Sequence, residues 1–273
     1  MRSREIEIPG IVKGVQTFYD APMRVGVYGL GRFGRFWAET LGTRFEVYGY
    51  SRTPKTIAPR HFTLTTYEGL LSCDVIVLCV SISAVEEVAR SLARDLPPST
   101  LVMDTCSVKT YPLEVLSRTL PDGIDILGTH PMFGPDSARD GIAGLPIVLT
   151  PCRVTEEQSS FWEETFREMG LSVHRMTAEE HDREAAYTQG ITHFVGRVLG
   201  ELHLEDSPIA TVGYRKLLEI REQTCNDPWQ LFLDLQHYNP YTRRMREDLA
   251  RAFTRILAVL DRTLDGGADP SVR

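Results

Sequence analysis

The sequence predicts an α/β fold: a doubly wound sheet first, then an all-α domain. Three observations lead there. Short β-branched or apolar runs alternate with helix-spaced segments as far as residue 176, the pattern of a sheet covered on both faces. A glycine-rich turn follows the first of those runs and opens a helix. From residue 177 onward only helical spacing remains. The expected division is an arm over residues 1–22, a sheet domain over 23–176 and a helical domain over 177–273.

With 273 residues and 42% hydrophobic side chains, the chain can bury one large core or two smaller ones, and no apolar run is long enough to span a bilayer. A soluble protein with no membrane partner is expected. The net charge of −7 disfavours nucleic acid, which calls for a basic face. It also means that an anionic substrate needs a local cation. Cys73, Cys79, Cys106, Cys152 and Cys225 form no Cys-x-x-Cys pair and no zinc-spaced cluster, so they read as buried free thiols in a reducing compartment, and no metal is expected. The first residues carry no signal-peptide apolar core, which makes the cytoplasm the expected location.

The first strand, Met23-Arg24-Val25-Gly26-Val27-Tyr28, runs into Gly29-Leu30-Gly31-Arg32-Phe33-Gly34 and a helix with Phe33, Phe36, Trp37 and Leu41 at helical spacing. Gly29 suits a tight turn, Gly31 the close approach of a pyrophosphate, and Gly34 the packing of helix on strand. Free N–H groups at the helix start then face phosphate oxygens, so the whole turn reads as a dinucleotide site. The second strand ends in Ser51-Arg52-Thr53. An NAD-preferring site has a carboxylate here for the ribose 2′-hydroxyl. Two hydroxyls and a guanidinium suit a 2′-phosphate instead, so NADP is the expected cofactor. A near-continuous apolar strand over 73–80 brings Val80 and Ser81 to the same site, and a helix over about 84–96 follows. The strand over 101–104 ends in Thr105-Cys106-Ser107-Val108-Lys109, where Ser107 is either a helix cap or a hydroxyl facing the site.

The apolar run 124–127 then leads into Gly128-Thr129-His130-Pro131-Met132-Phe133-Gly134-Pro135-Asp136. Its prolines and glycines argue for a stiff loop. A histidine at the carboxyl end of a parallel strand lies where open α/β sheets carry their chemistry, and it is the side chain best suited to proton exchange near neutrality. Strands over 145–149 and 171–176, with a helix over about 156–169 between them, complete the sheet.

In the helical part, residues 187–202 carry Ile191, Phe194, Val195, Val198 and Leu202 as apolar positions, while Gln189, His193 and Gly196 share another face. Gly190 and Gly196 cost helix propensity and so permit close packing or a ligand. Helices over 214–224, 229–238 and 240–264 follow, the first two separated by Cys225-Asn226-Asp227-Pro228. Phe253, Ile256, Leu257, Leu260 and Leu264 give more apolar face than one packet of helices needs, which predicts a homodimer through this domain.

Taken together, the stretch 128–136, Ile191-Thr192-His193 with Gly196-Arg197-Val198-Leu199, Ser207-Pro208-Ile209 with Gly213-Tyr214, Thr224-Cys225-Asn226-Asp227 and Tyr238-Asn239 resemble the arogenate/prephenate dehydrogenase family of tyrosine biosynthesis, nearest its plant arogenate branch. The resemblance covers roughly residues 23–250. It implies a Rossmann domain joined to a dimerising helical domain, with the active site between them. It implies oxidative decarboxylation of a cyclohexadienol, arogenate or prephenate, with His130 bonding the ring hydroxyl and Ser107 near the same group. His193 and Asp136 match family positions around the substrate; Thr129, beside His130, and Gln189, on the His193 face, are further substrate candidates. Asp227 matches an aspartate of the arogenate branch that would pair with the substrate ammonium, although Asp before Pro is also a common helix cap. Around residues 215–221 the sequence departs from the bacterial pattern, and either Glu219 or Arg221 falls near the arginine that grips a substrate carboxylate there. The alternatives are prephenate as the substrate, or a sensor that binds NADP without turnover.

Overall fold

A computed structural model describes residues 23–264; the arm expected over 1–22 lies outside the described residues. The chain enters as β1 (Arg24–Tyr28) and passes through the glycine turn into α1 (Arg32–Leu41). It continues with β2 (Glu46–Tyr50), β3 (Thr63–Leu64), α2 (Tyr67–Leu71), β4 (Val75–Leu78), α3 (Val85–Asp95), β5 (Leu101–Asp104) and α4 (Thr110–Thr119). Next come β6 (Asp125–Pro131), β7 (Pro146–Arg153), α5 (Glu156–Glu168) and β8 (Ser172–Arg175). The helical part holds α6 (Ala178–Ala185), a π turn (Ala186–Gly190), α7 (Ile191–Glu201), α8 (Val212–Asn226), α9 (Trp229–Tyr238) and α10 (Thr242–Leu264).

The strands form one sheet in the order β3-β2-β1-β4-β5-β6-β7-β8, parallel throughout except where β6 meets β7. Val75-Ile76-Val77-Leu78 is wholly buried, as a central strand covered on both faces must be. One face packs Trp37, Phe133, Trp162 and Phe166; the other packs Val85, Val88, Leu92, Leu113 and Leu116. This is the Rossmann-like architecture expected, followed by helices alone. No helix of the described residues is long and apolar enough to cross a membrane.

Several local expectations need correction. Residues 128–131 are the second half of β6 rather than the start of a loop, with His130 and Pro131 in register with Val148 and Ile147 of β7. A proline is tolerated there because it stands at the end of the strand, and the next bond to β7 is made by the following residue, whose N–H (Met132) donates to the Pro146 carbonyl at 2.9 Å. The helix α4 carries Pro112 in its first turn, where an N–H has no intrahelical partner to lose. The helical part begins at Ala178, after a capping box of Thr177 and Glu180, and the π turn interrupts it before α7. Cys152 and Cys225 are exposed, against the expectation of burial, though all five thiols are free.

Two carboxylates fasten the helical part to the sheet. Asp182 of α6 accepts the N–H groups of Lys109 (2.7 Å) and Thr110 (2.9 Å) at the start of α4. Asp234 of α9 accepts the N–H (3.0 Å) and hydroxyl (2.9 Å) of Ser83, just after β4. Within the helical part, Gly196 permits close packing: an added Cβ would lie 2.1 Å from Oγ1 of Thr224 and 3.0 Å from both its Cβ and its methyl. Rotating Thr224 gives no relief, since all its side-chain atoms crowd the same point. Ala at this position gains about 1 kcal/mol of helix propensity but overpacks α7 against α8, which costs about 1–3 kcal/mol. Gly196→Ala is therefore expected to lower the denaturant midpoint; an unchanged or raised midpoint would show that the two helices part freely.

Candidate active site

The carboxyl ends of β4, β5 and β6 and the facing helices enclose a cavity of about 530 Å³. Gly31, Arg32, Phe33, Gly34, Val80 and Ser81 line one side, Ser107, His130 and Asp136 the floor and rim, and Gln189, His193 and Asp227 the helical wall. Residues expected from three separate stretches of sequence thus share one space. Gly29 and Leu30 lie beneath it, Leu30 with its side chain in the core. Thr129 does not face the cavity. Alternation along β6 turns it away from His130, and its hydroxyl donates to the carbonyl of Asp104 (2.6 Å), so it serves strand pairing rather than substrate.

The glycine turn fits a dinucleotide. Gly29 has φ +104°, and a Cβ there would lie 2.4 Å from the Cys79 carbonyl oxygen. A Cβ at Gly34 would lie 1.8 Å from the Gly29 carbonyl oxygen, whereas Gly31 faces open space. Helix α1 starts at this turn without a side-chain cap, so its first N–H groups can meet phosphate oxygens. Ser51, Arg52 and Thr53 follow β2, outside the main cavity. Arg52 is paired with Glu87 of α3 and borders a separate hollow of about 500 Å³ together with Tyr28, Arg90 and Arg94.

His130 is buried, and its Nδ1 lies 2.8 Å from Nε2 of His181. Nδ1 of His181 lies 2.8 Å from the Asp182 carboxylate. Burial, then His181, Lys109 and His193, hold the His130 imidazole well below the usual histidine range, so it is neutral at pH 7. The ammonium of Lys109 is wholly buried, paired with Asp104 and donating to the Thr129 carbonyl (2.6 Å). Ser107 is not a cap, since Lys109 occupies that position of α4 and no side chain bonds there. Instead it faces the cavity and accepts from Nε2 of Gln189 at 3.5 Å. Oε1 of Gln189 and Nδ1 of His193 are buried without a protein partner, the condition of a wall built for a polar ligand.

At the mouth, Arg32 pairs with Asp136 and reaches Asp227 at 3.5 Å. The bond from Arg32 holds Asp136 below the usual carboxylate range. Burial pushes Asp227 up, with Arg32 opposing and Asp136 adding to the rise. Asp227 is not the N-cap of α9: Pro228 occupies that position and no side chain bonds there, while Asp227 is the residue that ends α8. Neither Glu219 nor Arg221 lines the cavity; the Arg221 guanidinium bonds the Leu204 carbonyl, and Gln223 takes the place on the wall. Lys109, Asp104, His181 and Asp182 were not singled out from sequence. The one signal for Lys109 and Asp104 was their place at the carboxyl end of β5.

His193 lies with Nε2 3.9 Å from Asp227, and burial, then Arg197, lowers its pKa to about 4. From the ordinary histidine value of 6.5 down to about 4, the unfolded chain binds a proton that the native ring refuses, so this site withdraws stability as pH falls through that window. NMR titration of His193 is expected to give a midpoint near 4; a midpoint near the ordinary histidine value of 6.5 would place the ring in water.

Comparison with known proteins fits this geometry. The nucleotide-binding domain of prephenate dehydrogenase matches residues 39–173, and the TYRAAT1-like C-terminal domain matches residues 198–271. The chain is 37% identical to arogenate dehydrogenase 2, chloroplastic, of Arabidopsis thaliana over 243 residues, 85% of this chain and 68% of the relative. It is 35% identical to arogenate dehydrogenase 1, chloroplastic, of the same plant over 260 residues, 90% of this chain but 40% of that longer relative. Among solved structures, prephenate dehydrogenase from A. aeolicus in complex with hydroxyphenyl propionate and NAD+ superimposes with a TM-score of 0.70 at 19% identity, covering 90% of this chain and 93% of the other. Arogenate dehydrogenase from Synechocystis gives 0.63 at 21% identity, covering 89% and 93%. At those identities the two structures bear on the fold alone.

Proposed function

Because the chain belongs to the arogenate/prephenate dehydrogenase family, we propose that it converts L-arogenate to L-tyrosine by NADP-dependent oxidative decarboxylation. The observation that carries this reading is the single cavity in which the glycine turn, His130 and Asp227 meet. The substrate is a cyclohexadienol whose ring carboxylate and ring hydroxyl sit on opposite carbons. Loss of carbon dioxide from one and of hydride from the other leaves an aromatic ring, so the step is strongly downhill. The protein must position the ring and manage one proton. The nicotinamide of a bound dinucleotide supplies the hydride acceptor, and the N–H groups at the start of α1 hold the pyrophosphate. Neutral His130 accepts from the ring hydroxyl, and Ser107 offers a second hydroxyl to the same oxygen. The proton taken up by His130 returns to the phenolic oxygen, so the reaction consumes none. Gln189 and His193 address the rest of the substrate.

Arogenate carries an ammonium where prephenate carries a keto group. Two carboxylates, Asp136 and Asp227, share the guanidinium of Arg32, which favours a cationic group beside them. With prephenate the same carboxylates would face another acceptor. The preference for NADP is supported by Arg52 in place of an acid after β2, with Arg90 and Arg94 bordering the same hollow, although a 2′-phosphate must displace Glu87 from Arg52. A homodimer through the helical domain is supported by Val212, Phe253, Ile256 and Leu257, which are large, apolar and exposed.

The deciding assay offers arogenate and prephenate, each with NAD and NADP, and follows the nicotinamide absorbance. Arogenate with NADP is expected to turn over fastest. Faster turnover of prephenate would move the reading to that substrate, and NADP binding without turnover of either would make the protein a sensor. Asp227→Asn is expected to lose arogenate activity and gain prephenate activity at near-normal stability, because no cap is lost; an unmoved preference would remove Asp227 from substrate recognition. Arg52→Ala is expected to raise the KM for NADP and leave that for NAD nearly unchanged. Equal losses with both cofactors would contradict a 2′-phosphate contact.

A further inference from the structure

We propose that Asp182 and His181 fix the tautomer of His130, with Nδ1 protonated and Nε2 left as the acceptor facing the cavity, and so act as positioning residues for the proton step. The inference rests on the reading of His130 as the group that accepts from the substrate hydroxyl.

The direction of the chain follows from its far end. Hydrogen bonds from His181 and Thr110 and from the amides of Lys109 and Thr110 outweigh the burial of Asp182 and hold it below the usual carboxylate range. An ionised carboxylate only accepts. Nδ1 of His181, 2.8 Å away, must therefore carry a proton and donate it. In a neutral imidazole the other nitrogen then accepts, so Nε2 of His181 takes its bond from Nδ1–H of His130, also at 2.8 Å. The remaining nitrogen of His130, Nε2, holds a lone pair, and His130 lines the cavity. Without this chain a neutral imidazole could equally present Nε2–H, a donor that cannot accept the hydroxyl proton.

The groups around His130 agree with this assignment. Lys109, paired with Asp104, approaches from the end of β5; His181 and Asp182 approach from α6 and His193 from α7. The Lys109 cation disfavours an imidazolium at rest. During reaction the substrate O–H bond breaks as an Nε2–H bond forms on His130. The resulting imidazolium keeps Nδ1–H directed at His181 and, through it, at the Asp182 anion, which offsets part of the Lys109 field. When the ring has become aromatic, Nε2–H returns its proton to the phenolate oxygen and the chain is restored. Neither His181 nor Asp182 lines the cavity, so neither touches substrate.

The test begins with the wild-type protein labelled with 15N-histidine, without substrate or dinucleotide. The ring signals of His130 are assigned by their loss in His130→Ala. A protonated Nδ1 and an unprotonated Nε2 at pH 7 are expected; a protonated Nε2 would overturn the proposal, whatever any variant does. In Asp182→Asn the amide can donate to His181 and reverse both bonds. The His130 tautomer is then expected to invert, with kcat falling by about 10²–10⁴-fold while KM for substrate and cofactor stays within a few-fold. An inverted tautomer with kcat within about twofold of wild type would also overturn the proposal. Should Asp182→Asn fail to fold, for it also bonds the start of α4, the wild-type tautomer alone decides. A wild-type protein that turns over neither arogenate nor prephenate sinks the proposed function instead, and leaves the tautomer result standing as a separate fact.

Discussion

A single buried ammonium sets the geometry on which the site depends. Lys109 is wholly enclosed, and its charge is met by Asp104 at the end of β5 and by the Thr129 carbonyl on β6. Removing one partner of such a pair leaves an uncompensated buried charge and costs about 3–5 kcal/mol. The ends of β5 and β6 are therefore held together by charge compensation as well as by strand pairing. Ser107 precedes Lys109 by two residues and His130 follows Thr129, so the two groups offered to the substrate oxygen inherit their separation from this contact. The backbone N–H of the same lysine bonds Asp182 of α6, which adds the helical part to the constraint.

The cavity has two electrostatic regimes. Its interior holds His130 and His193, whose burial strips them of protons at neutral pH and makes them acceptors or neutral dipoles. Its mouth holds Arg32, Asp136 and Asp227, partly exposed and charged. Exposed ion pairs contribute little to stability. These three are better understood as a charge pattern that a zwitterionic ligand meets on entry than as a brace for the fold. Proton handling and charge recognition are thus carried by different residues at different depths.

Much of this was legible in the sequence because it depends on local signals. The Gly29–Gly34 turn between a strand and a helix, the continuous apolar run of β4 and the shift to helical spacing after residue 176 each follow from backbone sterics or periodicity. His130, Ser107 and His193 were found by residue type and place, Asp227 by the family resemblance, and the cavity brings them together. What escaped depends on contacts far apart in the chain. Ala178-Glu179-Glu180-His181-Asp182-Arg183-Glu184 reads as a solvated charged helix, and only the start of α4, more than seventy positions earlier, buries Asp182. The strand character of His130 escaped for the same reason, since β7 supplies its ladder from across an intervening loop. Thr129 shows the reverse error: proximity to His130 in sequence suggested a shared role, but alternation along a strand sends neighbours to opposite faces.

The π turn at Ala186–Gly190 bears on how this fold can tolerate insertions and deletions. Such a turn is an α-helix holding one surplus residue, and it is retained only where that residue earns its strain. Here it carries Gln189 into the cavity and sets the phase of α7 behind it. Losing one residue from this stretch would let the backbone relax into an unbroken α-helix with better hydrogen bonds. The same loss would rotate everything downstream by about 100°, one residue's share of a helical turn. His193 would leave the wall, and Gly196 would no longer meet Thr224. A shortened homologue could thus be locally more regular while its helical domain faced the sheet with the wrong side.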